Sequence, residues 1–183
     1  MATIKWYMKF KSTTLRDVWL IALEPAFDDR GFFARTFCVE EFAAHGLETS
    51  YAQHSISFST HSGALRGLHY QREPHSEVKL VRCVKGAIWD VVIDVRPDSP
   101  NYLQWQGFDL SSRNGNQLYI PKGFAHGFQT LSSDVEVNYL ISEPYSPQSA
   151  DGIRYDDPAF GINWPLPVTK ISEKDLKWSN FAG

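Results

Sequence analysis

Apolar residues in this chain fall in short runs broken by polar turn formers. Val18–Leu23 (VWLIAL), Lys79–Val84 (KLVRCV), Ala87–Val95 (AIWDVVIDV), Tyr102–Leu110 (YLQWQGFDL), Gln117–Ile120 (QLYI) and Val135–Ile141 (VEVNYLI) are rich in Val, Ile, Trp and Tyr and are punctuated by Gly, Pro, Asn and Ser. Runs of this length and composition predict β-strands, and many of them in succession predict a mainly β sandwich or barrel. Helical patterning is confined to two places. Val39–Gly46 (VEEFAAHG) ends on a glycine suited to a C-terminal cap, and a short turn at SEKDLKW pairs Ser172 with Asp175 in the manner of a capping box. The proline-rich piece Asp156–Val168 (DDPAFGINWPLPV) reads as an ordered surface strap rather than a boundary. With no internal repeat, low-complexity tract or linker, one domain spanning residues 1–183 is expected.

Composition narrows the partners. With 183 residues, 43% of them hydrophobic and 14% aromatic, the chain is long and apolar enough for one sizeable core. Its net charge of -3 provides no basic stripe for a phosphate backbone, so nucleic acid and anionic membrane are not expected partners. A small nucleotide needs only a few local arginines. Cys38 and Cys83 are too few for a disulfide framework, and the N-terminus lacks the pattern of a secretory signal. Reduced thiols and a cytoplasmic location are expected. No apolar run approaches the ~20 residues that span a bilayer.

The stretch Arg66–Gly86 (RGLHYQREPHSEVKLVRCVKG) concentrates the candidate chemistry: His69, His75, Glu77 and Lys79. Two chemistries compete there, a metal site and a histidine base with a lysine partner. Metal-binding cupin barrels place two histidines on alternate residues of a strand, then a glutamate, then a histidine on a later strand. Here Gln71 stands at the second position, an amide and a poor ligand for zinc or iron, although His126 in IPKGFAHGF fits the later one. His75 and Glu77 fall in REPHSE, which reads as a loop. The ligand set is broken, so no bound metal and no other cofactor is expected.

Five segments carry a family resemblance: DDRGFFARTF, GALRGLHYQ, EVKLVRCVKGAIWDVVIDVRPDSPNY, LYIPKGFAHGFQTLSSDVEVNYL and GIRYDDPAFGINWP. In this order, from about Asp28 to about Asp175, they resemble the dTDP-4-dehydrorhamnose 3,5-epimerase family of the cupin superfamily. The resemblance implies a jelly-roll β-barrel with a few short helices. It also implies metal-free epimerisation of a nucleotide-linked 4-keto-6-deoxyhexose at carbons 3 and 5.

Such a reaction needs a base, a stabiliser for the enolate oxygen, and an acid on the other face of the ring. The resemblance assigns His69 as the base, a role suited to an imidazole of ordinary pKa near ~6.5. It matches Asp175 to the carboxylate that orients that imidazole, Lys79 to the cation beside the enolate oxygen, and Tyr139 to the acid. Spacing alone reads these residues more plainly, as a strand histidine, a helix cap, an exposed lysine and a packed tyrosine. For substrate binding the family match gives Arg66 and Arg30 to the diphosphate, Gln53 to the nucleotide end and His126 to the pocket. Phe33 and Tyr145 match aromatics flanking the base from different subunits of a homodimer whose N-terminal segment crosses to the partner.

Two departures lie at the nucleotide end. Arg35 stands where many members carry a glutamate after RGFF, and Gln53–Ser59 (QHSISFS) lacks the QDNHS pattern. dTDP is the expected carrier, with CDP and single-carbon epimerisation as alternatives. Two other classes remain: a metal-dependent cupin enzyme using His69, His75, Glu77 and His126, and a sugar-binding barrel without catalysis.

Overall fold

The computed structural model describes residues 7–181. Along the chain run β1 (Lys9–Ser12), β2 (Trp19–Ala22), the pair β3 (Ala26–Asp28) and β4 (Gly31–Phe33), helix α1 (Val39–Ala44), β5 (Gln53–Ser59), β6 (Leu65–Gln71), β7 (Lys79–Lys85) and β8 (Ala87–Asp94). There follow β9 (Trp105–Ser111), β10 (Gln117–Ile120), β11 (Phe124–Thr130), β12 (Val135–Ile141), β13 (Ala150–Gly152) and helix α2 (Glu173–Leu176). One sheet has six strands in the order β1-β2-β10-β7-β12-β5, and the other has five in the order β13-β6-β11-β8-β9. Their neighbouring strands all pair antiparallel, as in a jelly roll.

Alternation of side chains builds three apolar layers from these two sheets. Between the sheets, Val81, Cys83, Leu118, Ile120, Val135 and Val137 meet Ile88, Val92, Phe108, Leu110, Phe124 and Phe128. Each such side chain, fully buried, contributes about 1.5–3 kcal/mol. On the outer side of the six-stranded sheet, Leu80 and Tyr119, with Val78 just before β7, pack under Phe42 of α1. That of the five-stranded sheet, Leu68, Val91 and Ile93, is covered by Ile153, Phe160, Ile162 and Trp164. The strap expected at Asp156–Val168 is therefore the lid of an outer layer.

Two expected strands, β10 and β12, fall where the sequence puts them, and the rest shift at their ends. Tyr102–Leu110 begins later, at Trp105, because Leu103 is in the left-handed region (φ 62°) and turns the chain. Helix α1 stops at Ala44, with Gly46 beyond it at φ 69°, the left-handed stop its glycine implies. REPHSE is a loop, and it carries the chain from β6 in one sheet to β7 in the other. The segment expected to cross to a partner begins in residues 1–6, outside the described residues. β1 pairs with β2 of its own chain.

Candidate active site

Between the sheets opens a cavity of about 720 Å³. Gln53, Lys79 and Tyr139 line it from the six-stranded sheet, and Arg66, His69 and His126 from the other. Arg66 and His69 share this face because of a β-bulge. On β11 His126 pairs with His69 and Phe128 with Arg66, so three steps along β6 answer two along β11 and the alternation shifts. Gly67 sits in the bulge at φ 122°, and a Cβ there would meet the Gly127 Cα at 2.5 Å. Only glycine fits both the backbone and the gap.

His69 Nε2 lies 2.6 Å from Asp175 Oδ1. The other carboxylate oxygen accepts from the Gly67 N–H at 3.3 Å, and the Asp175 N–H donates to Ser172 Oγ, the N-cap of α2. Asp175 thus serves both readings of the sequence: its backbone closes the cap and its carboxylate holds the imidazole. Burial works to raise this carboxyl, but the His69 ring, the Gly67 N–H and the Ser172 hydroxyl together bring it below the usual range. A buried carboxylate on one ring nitrogen fixes the tautomer and stabilises the imidazolium once the other nitrogen takes a proton.

Lys79 reaches back across the crossover. Its Nζ donates to the His69 carbonyl at 3.1 Å and to Glu77 Oε1 at 2.9 Å. An ammonium has three N–H donors, so one remains for an oxygen in the cavity. Tyr139, two residues along β12 from the Ile141 that pairs with Lys79, presents its phenol from the same sheet. Burial raises the phenol's pKa, with the Asp90 charge adding and the Ser57 hydroxyl and Arg66 opposing, so it holds its proton well into alkaline solution. His126 lies edge-on to Tyr139, ring centroids 6.2 Å apart, and its Nε2 meets the fully buried Asp90 Oδ2 at 2.9 Å. Burial pushes the Asp90 carboxyl up despite that histidine and Lys79.

At the cavity mouth Arg66 donates to Ser59 Oγ and the Phe58 carbonyl, tying β6 to β5. Gln53 Oε1 accepts from the Tyr145 N–H, and Lys174 Nζ lies 5.7 Å from the Tyr145 ring centroid. Lys170 and Lys174 add cations that sequence reasoning did not single out, because each lies in a polar C-terminal stretch without strand pattern. Asp90 was missed too, although an acid inside the apolar run Ala87–Val95 is a visible signal.

Arg30 and Phe33 do not line this cavity. They sit on the β3–β4 hairpin, where Arg30 pairs with Asp28, and Phe27, Phe32 and Phe33 are all at least 65% exposed. Arg35 pairs with Glu41 in the first turn of α1. The amide of Gln71 is taken up by backbone: its nitrogen donates to the His75 and Pro144 carbonyls and its oxygen accepts from the Ser146 N–H. His75 bonds Ser149 outside the cavity lining. Among the described residues no three His, Cys, Asp or Glu side chains gather as a ligand set.

The cavity thus sets His69, held by Asp175 of α2, on one sheet and Tyr139 and Lys79 on the other. The family model described as dTDP-4-dehydrorhamnose 3,5-epimerase matches residues 12–183. A dTDP-4-dehydrorhamnose 3,5-epimerase of Sinorhizobium fredii is 44% identical over 169 residues, covering 92% of this chain and 87% of the relative. The crystal structure of the Bacillus anthracis enzyme of that name, with TDP and PPi bound, superposes with a TM-score of 0.93 at 38% identity, covering 96% of this chain and 100% of the other. The Legionella pneumophila dTDP-6-deoxy-D-glucose-3,5-epimerase, in complex with dTDP-4-keto-L-rhamnose, gives 0.87 at 37% identity, over 93% and 90% of the two chains. Sequence and barrel agree with these matches along nearly the whole length, and the chain belongs to the dTDP-4-dehydrorhamnose 3,5-epimerase family.

Proposed function

We propose that the chain is a metal-free epimerase, one catalytic domain over residues 1–183, acting at carbons 3 and 5 of a dTDP-linked 4-keto-6-deoxyhexose. The observation that carries this reading is His69, on the five-stranded sheet and held by Asp175 of α2, across the cavity from Tyr139 on the other sheet. His69 removes the proton beside the ketone, and the electron pair moves onto O4 as the enolate. The free N–H of Lys79 stabilises that oxygen, and Tyr139 returns a proton to carbon from the other side of the ring. The imidazolium and the phenolate then exchange protons with solvent to reset the site.

The exposed aromatic hairpin supports a homodimer in which Arg30 and Phe33 complete the partner's site, since contiguous exposed apolar surface marks an interface. The N-terminal segment is read as crossing with it. The free thiols of Cys38 and Cys83 support a cytoplasmic setting.

The test is incubation in deuterated water with dTDP- and CDP-linked 4-keto-6-deoxyglucose, before and after dialysis against a strong chelator. Label at both carbons of the dTDP sugar, undiminished by chelation, is expected. Loss on chelation with recovery on one added metal ion would refute the metal-free mechanism, and label only in the CDP sugar would reassign the substrate.

A further inference from the structure

Glu77 is left over by this mechanism. It precedes β7 in the crossover loop, and its place is fixed by a double clamp on the neighbouring residue: the Val78 N–H donates to Ser142 Oγ at 2.8 Å, and the Ser142 N–H returns to the Val78 carbonyl at 3.0 Å. The Glu77 side chain is only 6% exposed and forms part of the cavity wall. Oε1 is held by Lys79, while Oε2 is buried and has no hydrogen-bond partner among the described residues. A carboxylate oxygen withdrawn from water without a donor is destabilising, and such atoms are found where a ligand supplies the donor.

We propose that Glu77 is a specificity-determining residue whose Oε2 accepts a hydrogen bond from the sugar hydroxyl on carbon 3, next to the keto group. The inference rests on the epimerase reading of this site. A carboxylate cannot accept from a ketone, which has no proton to give, and an ammonium suits one. With Lys79 directed to O4, the adjoining Glu77 oxygen meets the neighbouring substituent. The ion pair therefore reads a two-atom pattern, an acceptor oxygen beside a donor hydroxyl, and Lys79 offsets the negative charge that Glu77 brings near the enolate.

The test uses the full chain and three unreactive ligands: dTDP, dTDP-6-deoxy-D-glucose and dTDP-3,6-dideoxy-D-glucose, which lacks the carbon 3 hydroxyl. Dissociation constants are measured by calorimetry for wild type, Glu77→Gln and Glu77→Ala. Wild type should prefer the hydroxylated sugar by roughly tenfold to a hundredfold, the range for a hydrogen bond to a charged group. Glu77→Ala should abolish the preference, Glu77→Gln should reduce it severalfold, and dTDP affinity should stay within about twofold in each. A thermal melt monitors folding, and if Glu77→Ala does not fold the isosteric Glu77→Gln decides. A preference that survives substitution, or an equal loss for both sugars, which would mean that Glu77 acts only through Lys79, overturns the proposal. Deuterium exchange by wild type on the 4-keto substrate is run alongside. If exchange occurs but the preference persists, this inference alone fails; without exchange the epimerase reading fails, and this inference with it.

Discussion

Tyr139 and Lys79 stand on adjacent strands, yet removing them should separate two chemical steps. Tyr139→Phe leaves base and enolate stabiliser in place, so deuterium should still wash in through His69 while inversion falls by ~10²–10⁴-fold. Lys79→Ala should suppress both, because the enolate loses its cation. NMR of recovered substrate and product separates the patterns, and near-normal inversion by Tyr139→Phe would remove the phenol from the mechanism. The raised Tyr139 pKa fixes a second expectation. A phenol titrating above its ordinary value near ~10 stays a donor through that pH, so the ratio of inversion to wash-in should be flat up to about pH 10. A fall in that ratio between about pH 8 and 9 would contradict the assignment. The four residues proposed as base, acid, orienting carboxylate and enolate cation were all singled out by the family resemblance, and the structure brings them to one cavity. Asp90 was not, and Glu77 was legible only as a candidate metal ligand, since a charge inside a strand or loop acquires its meaning when its partner is known, here His126 and Lys79.

Legibility at the level of elements followed side-chain chemistry. β7, β8, β10 and β12 are dense in branched apolar residues and announce themselves, whereas β5 (QHSISFS) and β11 (FAHGFQT) are not read as strands from pattern because Ser, His and Gly replace the expected alternation. Those interruptions are where the cavity is built. The bulge in β6 is equally silent in the sequence, and it decides which residues share a face with His69. Gly67→Ala tests it: a left-handed non-glycine residue and a forced contact with Gly127 should together cost about 2–4 kcal/mol. Urea denaturation reads that loss, and deuterium exchange should fall with it as Arg66 and His69 move. A variant of unchanged stability would mean that the bulge accommodates a side chain freely.

For the whole molecule the decisive question is whether one chain completes a site. In the proposed homodimer, His69→Ala and Arg30→Ala proteins should each be weakly active. If Arg30 serves the partner's cavity, refolding an equal mixture should restore roughly a quarter of the sites, since half the dimers are hybrids with one intact site each. Activity no greater than that of the separate variants would return Arg30 to its own subunit. The proposed division of acid and base between two sheets also reaches beyond the site itself. No hydrogen-bonded ladder joins β6 to β12; the span between proton acceptor and proton donor is set by the filling of side chains beneath them, Val92 and Phe128 against Val81 and Val137. Stereochemical outcome is therefore written partly in methyl groups. Val92→Ala removes no titratable atom, yet by loosening that filling it should slow reprotonation relative to abstraction, so that labelled sugar of retained configuration accumulates ahead of inverted product. Drift in the core would then be a route to a different isomer ratio, measurable by NMR on a variant whose every catalytic residue is intact.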